Sequence, residues 1–197
     1  MSSMAIAGVV WTVGHSNHDI GAFLALVRRH EVVHLVDVRS HPYSRYASQF
    51  NRDELRDAVE GCGIRYEFMG TALGGRPRHE DQLDGEGRAL YDRMAAEPIF
   101  GEAVEEVLRW ASEGRVALLC ACGQPQGCHR RLLVGKVLCE RGAELRHILP
   151  DGGVTSERTV ELRDDHAQEM LFGHDELPWR STRSVSPRRP LSVSSHG

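Results

Sequence analysis

The residues of this chain that are best suited to chemistry are concentrated in "LLCACGQPQGCHRR", residues 118–131. The segment contains Cys120, Cys122 and Cys128, and His129 directly follows the last of them. A thiolate is a nucleophile and a metal ligand, and an imidazole exchanges protons or binds a metal near neutral pH. The segment is therefore a reactive thiol centre, a metal site or a structural junction between a strand and a helix.

Cys128 is the most specific candidate for a nucleophile. It lies at the first turn of a predicted helix, where unpaired amide groups and the helix dipole lower the pKa of a thiol from its usual value of about 8.5. His129, Arg130 and Arg131 add positive charge beside it. In a catalytic site, His15 or His129 would move the protons. The alternative is that Cys128 only caps the helix and packs under the loop.

The same segment is also a candidate metal site. Cys120, Cys122, Cys128 and His129 offer four ligands within ten residues, a set that suits zinc and, as a second choice, iron. The spacing counts against this interpretation, because paired cysteines of structural zinc sites are usually two to four residues apart. Neighbouring residues on a helix also point about 100° apart. Cys120 ends an apolar strand, where a free cysteine often packs as a small hydrophobic residue.

Asp37 and Arg39, at the end of another predicted strand, indicate anion binding. Their side chains lie on the same side, because side chains alternate along a strand with a period of two. Asp37 either holds Arg39 rigid to bind an anion or forms an ordinary salt bridge with it. His15 is a candidate general acid or base, or a hydrogen-bonded turn residue, and Asp37 is a further catalytic candidate. The predicted anion-binding residues lie near strand ends or in glycine turns: Ser16, Arg39, Arg45, Gly74, Gly75 and Arg130.

Three aromatic residues are interleaved with these arginines. Tyr43, Tyr46 and Phe50 surround Arg45 in the sequence. Aromatic rings next to guanidinium groups stack on nucleotide bases, so this stretch is a candidate stacking surface. Local packing of the loop on the domain is the alternative.

The elements that must position these residues alternate between strands and helices. The predicted strands are "AIAGVVWTV" at 5–13, "VVHLVDV" at 32–38, "IRYEFM" at 64–69, "RVALLCA" at 115–121 and "ELRHIL" at 144–149. Helical spacing of apolar residues between them predicts a single α/β domain, a mainly parallel sheet flanked by helices in a Rossmann-like three-layer arrangement. Ligands of such sheets bind at the carboxyl ends of the strands, where all the candidate residues fall.

The sequence predicts three segments that differ in how rigidly they are folded. Residues 1–153 form the α/β domain, and 154–173 form a docked C-terminal helix. Residues 174–197 are rich in Pro, Ser and Arg and are expected to form a flexible tail.

Composition limits the classes of function. The 197 residues have a formal charge of −4 at pH 7, so nucleic acid would not be bound through bulk positive charge. No stretch is apolar for the roughly 18 residues that a membrane span needs, and we expect no membrane partner. Without an export signal, the odd number of five cysteines indicates a cytoplasmic protein with free or metal-bound thiols.

Five pieces of the chain, in order, are similar to the domain of unknown function 488 family of bacteria and archaea. They are "TVGHSN" at 12–17, "LVDVRSHPYSRYASQFN" at 35–51, "GIRY" at 63–66, "LGGRP" at 73–77 and "LLCACGQPQGCHRR" at 118–131. The resemblance covers about residues 8–150. The resemblance implies that the following residues match the family pattern: Gly14, His15, Ser16, Asp37, Arg39, Arg45, Phe50, Leu73, Gly74, Gly75, Cys120, Cys128, His129 and Arg130. Cys122 is a departure from the family pattern, and this departure weakens any mechanism that needs three thiols.

The residues favour an enzyme of the hydrolase or transferase type that acts on a small anionic substrate, a nucleotide or a nucleic-acid-derived molecule. The chain has neither a Gly-rich dinucleotide fingerprint nor a phosphate-binding loop, so no NAD or ATP cofactor is expected. The alternatives are a non-catalytic module that recognises nucleotides or nucleic acids, a metal-binding protein, and a rhodanese-like sulfur-transfer enzyme. The oligomeric state is left open.

Overall fold

Strands and helices alternate along the chain, and the computed structural model describes them over residues 8–172 and 179–185. The strands are β1 (Val9–Gly14), β2 (His34–Asp37), β3 (Arg65–Phe68), β4 (Arg88–Leu90), β5 (Val116–Cys120), β6 (Glu144–Ile148), β7 (Val154–Ser156) and β8 (Arg180–Ser184). The helices are α1 (Ile20–Arg29), α2 (Arg52–Glu60), α3 (Gly70–Leu73), α4 (Tyr91–Ala95), α5 (Pro98–Glu113), α6 (Lys136–Glu140) and α7 (Glu157–Phe172). A π-helical turn, Arg130–Gly135, leads into α6.

Six strands form the main sheet in the order β3-β2-β5-β1-β6-β7. All neighbours are parallel except β6 and β7. The α/β class with a mainly parallel sheet flanked by helices is therefore confirmed. In the register, Gly14 lies opposite Cys120, and Asp37 lies opposite Leu119. The carboxyl ends of β1, β2 and β5 thus meet at one edge of the sheet.

The central strand β5 shows why the sheet is covered on both faces. All five of its residues are buried, as is typical of a strand in the middle of a parallel sheet. Val116 and Leu118 belong to one apolar cluster, whereas Ala117 and Leu119 belong to the other. This alternation follows from the period of two along a strand. The polar residues that end β5 therefore emerge from a rigid apolar base.

The helices pack through the apolar residues that their spacing predicts. In α1, Phe23 and Val27 are fully buried, and the Asp19 side chain caps the helix by accepting a hydrogen bond from the Ala22 amide at 2.8 Å. In α5, Pro98 occupies the first turn. None of the described helices is long and apolar enough to cross a membrane.

The C-terminal region begins with a short strand before the predicted helix. β7 extends the sheet, and α7 then docks through Val160, which is fully buried. Glu157, the first residue of α7, accepts a hydrogen bond from the Arg131 guanidinium at 2.7 Å. The predicted docked segment 154–173 therefore contains a helix that is attached to the domain at its N-terminal end.

Part of the predicted flexible tail is a strand, so the prediction needs correction there. β8 pairs antiparallel with β4, and the Ala89 amide donates to the Ser181 hydroxyl at 2.9 Å. Trp179 anchors the strand, because its indole N–H donates to the Leu132 carbonyl at 2.6 Å. The remaining residues of the predicted tail, 174–178 and 186–197, lie outside the described residues, as does residue 173 of the predicted docked segment.

His34, the first residue of β2, makes the stability of the fold depend on pH. Its side chain is 4% exposed, and its ring centroid lies 4.2 Å from that of Trp110. Burial, followed by the charge of Arg65, lowers the pKa of His34 from 6.5 to about 4. The folded state therefore binds fewer protons than the unfolded state between these values, and stability falls as the pH decreases through this window.

We predict that His34→Gln makes the free energy of unfolding less sensitive to pH. Between about pH 7 and pH 4.5, the wild type should lose about 2 kcal/mol more than the variant. Urea unfolding at both pH values measures this difference. His41→Gln, at an exposed position, is the control and should follow the wild type. Equal losses in the wild type and in His34→Gln would show that His34 is not the responsible group.

Candidate functional site

Three thiols and one imidazole meet at the carboxyl end of β5. Cys120 ends the strand, Cys122 and Cys128 lie in the following loop, and His129 opens the next helix. We call these four residues the thiol cluster. The Sγ atoms of Cys120 and Cys128 and a ring nitrogen of His129 all lie within 4.8 Å of one another. Cys122, in the same loop, is not among these three mutually close groups.

The thiol cluster is buried on one side and open on the other. Cys120 and Cys128 are 5% and 2% exposed, whereas Cys122 is exposed. All five cysteines of the chain are free. The expectation that Cys128 and His129 would point apart by about 100° does not hold, because Cys128 lies just before the first helical residue. The side chains of Cys128 and His129 therefore converge.

The imidazole of His129 is held with one nitrogen toward the thiols. Its Nε2 lies 2.9 Å from the Val38 carbonyl oxygen, which can only accept, so Nε2 carries a hydrogen. Nδ1 then lies 3.8 Å from the Cys120 sulfur. A Cβ on Gly75 would lie 2.5 Å from the His129 ring, so this position needs glycine because the backbone packs on the imidazole.

Hydrogen bonds within the cluster shift the pKa values of its thiols in opposite directions. Hydrogen bonds from Cys122 and from Cys128 hold the pKa of Cys120 well below its usual range, against the effect of burial. The same hydrogen bond to Cys120 raises the pKa of Cys128. Burial would lower the pKa of His129, but the charge of Cys120 raises it overall. The lowered thiol pKa that the sequence predicted for Cys128 is therefore found at Cys120.

His15 follows β1 and lies next to the cluster. Its backbone amide donates to the Cys120 carbonyl at 3.0 Å, and its ring stacks on Phe50 with centroids 4.3 Å apart. Nδ1 lies 3.0 Å from the Ser16 carbonyl and donates to it, so Nε2 keeps its lone pair. Burial, followed by the charge of Arg39, lowers the pKa of His15. Within the described residues, Nε2 forms no hydrogen bond.

Asp37 and Arg39 form a buried ion pair beneath the site. The Asp37 carboxylate accepts from Arg39 Nε at 2.8 Å and from its terminal nitrogen at 2.6 Å. Tyr66 donates its hydroxyl hydrogen to the same carboxylate at 2.7 Å, and Arg39 also donates to the Phe50 carbonyl at 2.8 Å. Because Asp37 is fully buried, it lies below the surface that a substrate would reach. The pair holds the loop that carries Phe50 against His15.

Arg130, predicted to bind an anion, is fully buried and binds backbone carbonyls. It donates to the Cys122 carbonyl, to the Gly123 carbonyl at 3.0 Å and to the Thr12 hydroxyl at 3.3 Å. These contacts fix the loop between Cys120 and Cys128. The guanidinium therefore shapes the thiol cluster from behind.

Two other predicted anion-binding residues, Ser16 and Gly74, pack against backbone. Ser16 has a φ of 50°, unusual for a residue with a side chain, and a Cβ on Gly123 would lie 2.8 Å from its hydroxyl oxygen. Gly74 is enclosed, because a Cβ there would lie 2.4 Å from both the Gly70 carbonyl and the Ser40 hydroxyl. Both residues therefore let neighbouring segments approach closely at the rim of the site.

The predicted stacking residues divide into buried and exposed members. Phe50 is 1% exposed and is already stacked on His15, so it offers no face to a ligand. Tyr43 and Tyr46 are 50% and 84% exposed. The Arg45 guanidinium lies 4.8 Å from the centroid of the Tyr46 ring. Of these three rings, only those of Tyr43 and Tyr46 are therefore open to a partner.

The structure adds polar residues that the sequence did not single out. The Thr12 hydroxyl lies 2.8 Å from His147 Nδ1, and His147 Nε2 lies 2.7 Å from the Glu157 carboxylate. With Arg130, these residues form a buried chain of hydrogen bonds from the cluster to the start of α7. No spacing in the sequence relates Thr12 to His147, but both lie on adjacent strands in register.

Comparisons with known proteins give one match. The family model described as "Domain of unknown function DUF488" matches residues 19–137. No curated protein and no solved structure matches the chain. The matched segment covers well over half of the chain and contains the whole thiol cluster, whereas His15 precedes it.

Proposed function

The chain belongs to the domain of unknown function 488 family, and from the site that it carries we propose that it is an enzyme of the hydrolase or transferase type. The observation that supports this proposal is the position of His15. An imidazole whose Nε2 keeps its lone pair lies directly beside a thiol cluster that has one open side. This combination provides a proton acceptor and a polar reaction centre in one place.

A purely structural junction would not need this arrangement. Buried cysteines that only pack are neutral, small and apolar. Here, in contrast, hydrogen bonds from Cys122 and Cys128 hold the pKa of Cys120 well below its usual range, against the cost of burying a charge. In a hydrolytic reaction, His15 Nε2 takes the proton from the attacking water and then returns it to the leaving group. In a transfer reaction, an acceptor hydroxyl takes the place of that water.

We propose an anionic substrate, bound by exposed arginines and not by the buried ones. Arg39 and Arg130 have most of their donors directed at Asp37 and at backbone carbonyls. Arg45 and Arg76, in contrast, are exposed, and Arg76 lines a shallow pocket with Gly74. Arg78 lines the same pocket but is paired with Glu97 at 3.3 Å. Tyr43 and Tyr46 add exposed rings, so a nucleotide or a nucleic-acid end fits this surface best. Five free thiols are consistent with our proposal that the protein is cytoplasmic.

The proposal predicts that His15→Gln abolishes most turnover. Purified protein would be assayed against a panel of phosphomonoester, phosphodiester, nucleotide and thioester substrates. For any substrate that is turned over, kcat of His15→Gln should fall roughly 100-fold, the contribution of one general base. His30→Gln, at the C-terminal cap of α1, is the control and should keep its activity.

Two results would contradict the proposed enzyme. The first is turnover that is unchanged in His15→Gln. The second is binding of oligonucleotides without turnover of any substrate of the panel and with a steep loss of affinity as salt increases. That second result would identify a nucleic-acid recognition module, since release of counterions makes such binding strongly dependent on salt.

A further inference from the structure

We propose that Cys120, Cys128 and His129 bind one zinc ion, with a fourth coordination position that opens toward Cys122. The binding of zinc is inferred from the geometry of these side chains alone. Only the use of the ion in catalysis rests on the proposed function.

The distances among the three groups are close to those of a tetrahedral zinc site. Zn–S and Zn–N bonds of about 2.3 and 2.0 Å place two sulfurs about 3.8 Å apart, and a sulfur and a nitrogen about 3.5 Å apart. The Cys120 sulfur lies 3.8 Å from His129 Nδ1, and no two ligand atoms are more than 4.8 Å apart. Small side-chain rotations would therefore complete the coordination.

The surroundings of His129 are those of a metal ligand. Histidines that bind metals usually donate their other ring N–H to a carbonyl or carboxylate, which fixes the ring and the free nitrogen. His129 does this through Nε2 and the Val38 carbonyl, and the Gly75 backbone packs on its ring. Its Nδ1 is thereby aimed at the sulfurs before any ion binds.

The sulfurs of the cluster have no arginine or lysine partner in the part of the chain that the structure describes. Within the described residues, none of these side chains donates to a sulfur of the cluster. The nearby Arg39 is paired with Asp37, and Arg130 donates to carbonyls and a hydroxyl. Three thiols thus meet in a largely buried site without a disulfide bond. A thiophilic divalent cation would neutralise this site, because cysteine binds zinc as the thiolate.

The open position distinguishes this site from a structural zinc site. Structural sites use four protein ligands, whereas catalytic sites use three and leave one position to water or substrate. Cys122 is exposed and is not part of the compact group formed by the other three residues. Zinc bound there would supply an activated water or polarise a substrate oxygen. His15 would accept the proton of the attacking group.

Metal analysis of full-length protein tests the proposed ligands. Protein purified without chelators from cells grown with zinc should contain about one zinc ion per chain. Cobalt(II) added to the zinc-free protein should give thiolate charge-transfer absorption and visible bands typical of tetrahedral coordination. Cys120→Ser, Cys128→Ser and His129→Gln should each lower the zinc content to below about a tenth of an ion. Cys62→Ser and Cys139→Ser, outside the cluster, are the matched controls and should keep it.

Cys122→Ser tests the open position separately. It should keep about one zinc ion and tetrahedral cobalt bands, because Cys122 is not a ligand in the proposed site. Loss of the metal from this variant would overturn the open position and indicate a closed site with four ligands. Absence of stoichiometric zinc and of cobalt bands in the wild type, or an iron–sulfur chromophore, would overturn the zinc site itself. A zinc site without turnover would instead refute only the enzyme.

Discussion

Replacing Asp37 by Asn should lower the free energy of unfolding by about 3–5 kcal/mol, because it leaves the Arg39 guanidinium buried without its carboxylate. Arg39 is 7% exposed and Asp37 is fully buried, so water does not solvate the unpaired charge well. The carboxylate also accepts hydrogen bonds from the Arg39 amide at 3.0 Å and from Tyr66 at 2.7 Å. An amide group replaces only part of these interactions. Denaturant unfolding followed by circular dichroism measures the loss.

Two control variants separate the ion pair from its surroundings. Tyr66→Phe removes one hydrogen bond to the carboxylate and should cost about 1–2 kcal/mol. Asp53→Asn breaks an exposed pair with Arg56 and should leave stability unchanged within error. A loss below about 1 kcal/mol in Asp37→Asn would mean that the buried pair does not hold the loop beneath the site.

Gly14→Ala should destabilise the protein by about 3 kcal/mol or more and also disrupt the thiol cluster. A Cβ at this position would lie 1.7 Å from the Cys122 carbonyl oxygen and 2.9 Å from the Arg130 guanidinium. Because the first of these is a backbone atom that Arg130 itself binds, the loop has to move for the methyl group to fit. We therefore expect a lower free energy of unfolding and a loss of bound zinc in the same variant.

The matched control is Gly101→Ala, another replacement of glycine by alanine. Gly101 lies in α5, and an added Cβ meets no atom within 4 Å. Alanine favours a helix over glycine, so this variant should gain about 0.5–1 kcal/mol. A Gly14→Ala variant that is as stable as the wild type and keeps its zinc would contradict the close packing of β1 against the cysteine loop.

It was predictable that the candidate residues would lie close together, because parallel strands bring their carboxyl ends to one edge of the sheet. The apolar runs that form β1, β2 and β5 were clear from the sequence. The alternation of strands and helices implied that these strands are parallel, and in the structure Gly14 lies opposite Cys120. β8 was not predictable in the same way. Its residues, Arg180–Ser184, are polar, and only pairing with β4 and the anchor Trp179 define the strand.

The roles of individual residues in the site were less predictable than their positions. Whether Arg130 binds an anion or a backbone carbonyl depends on the acceptors that the fold brings to it, and here they belong to the loop around Cys122. The thiol with the lowered pKa is Cys120, because hydrogen bonds from Cys122 and Cys128 favour its charged form. Such contacts depend on three-dimensional distances that spacing along the chain does not specify.

A crystal structure of unchelated protein, with anomalous scattering data at the zinc absorption edge, would show directly whether the thiol cluster holds a metal. We expect one zinc peak bonded to the sulfurs of Cys120 and Cys128 and to Nδ1 of His129, with His15 beside it. A metal-free site in which two of the cluster cysteines are joined by a disulfide bond, or in which Cys128 lies far from His15, would contradict it.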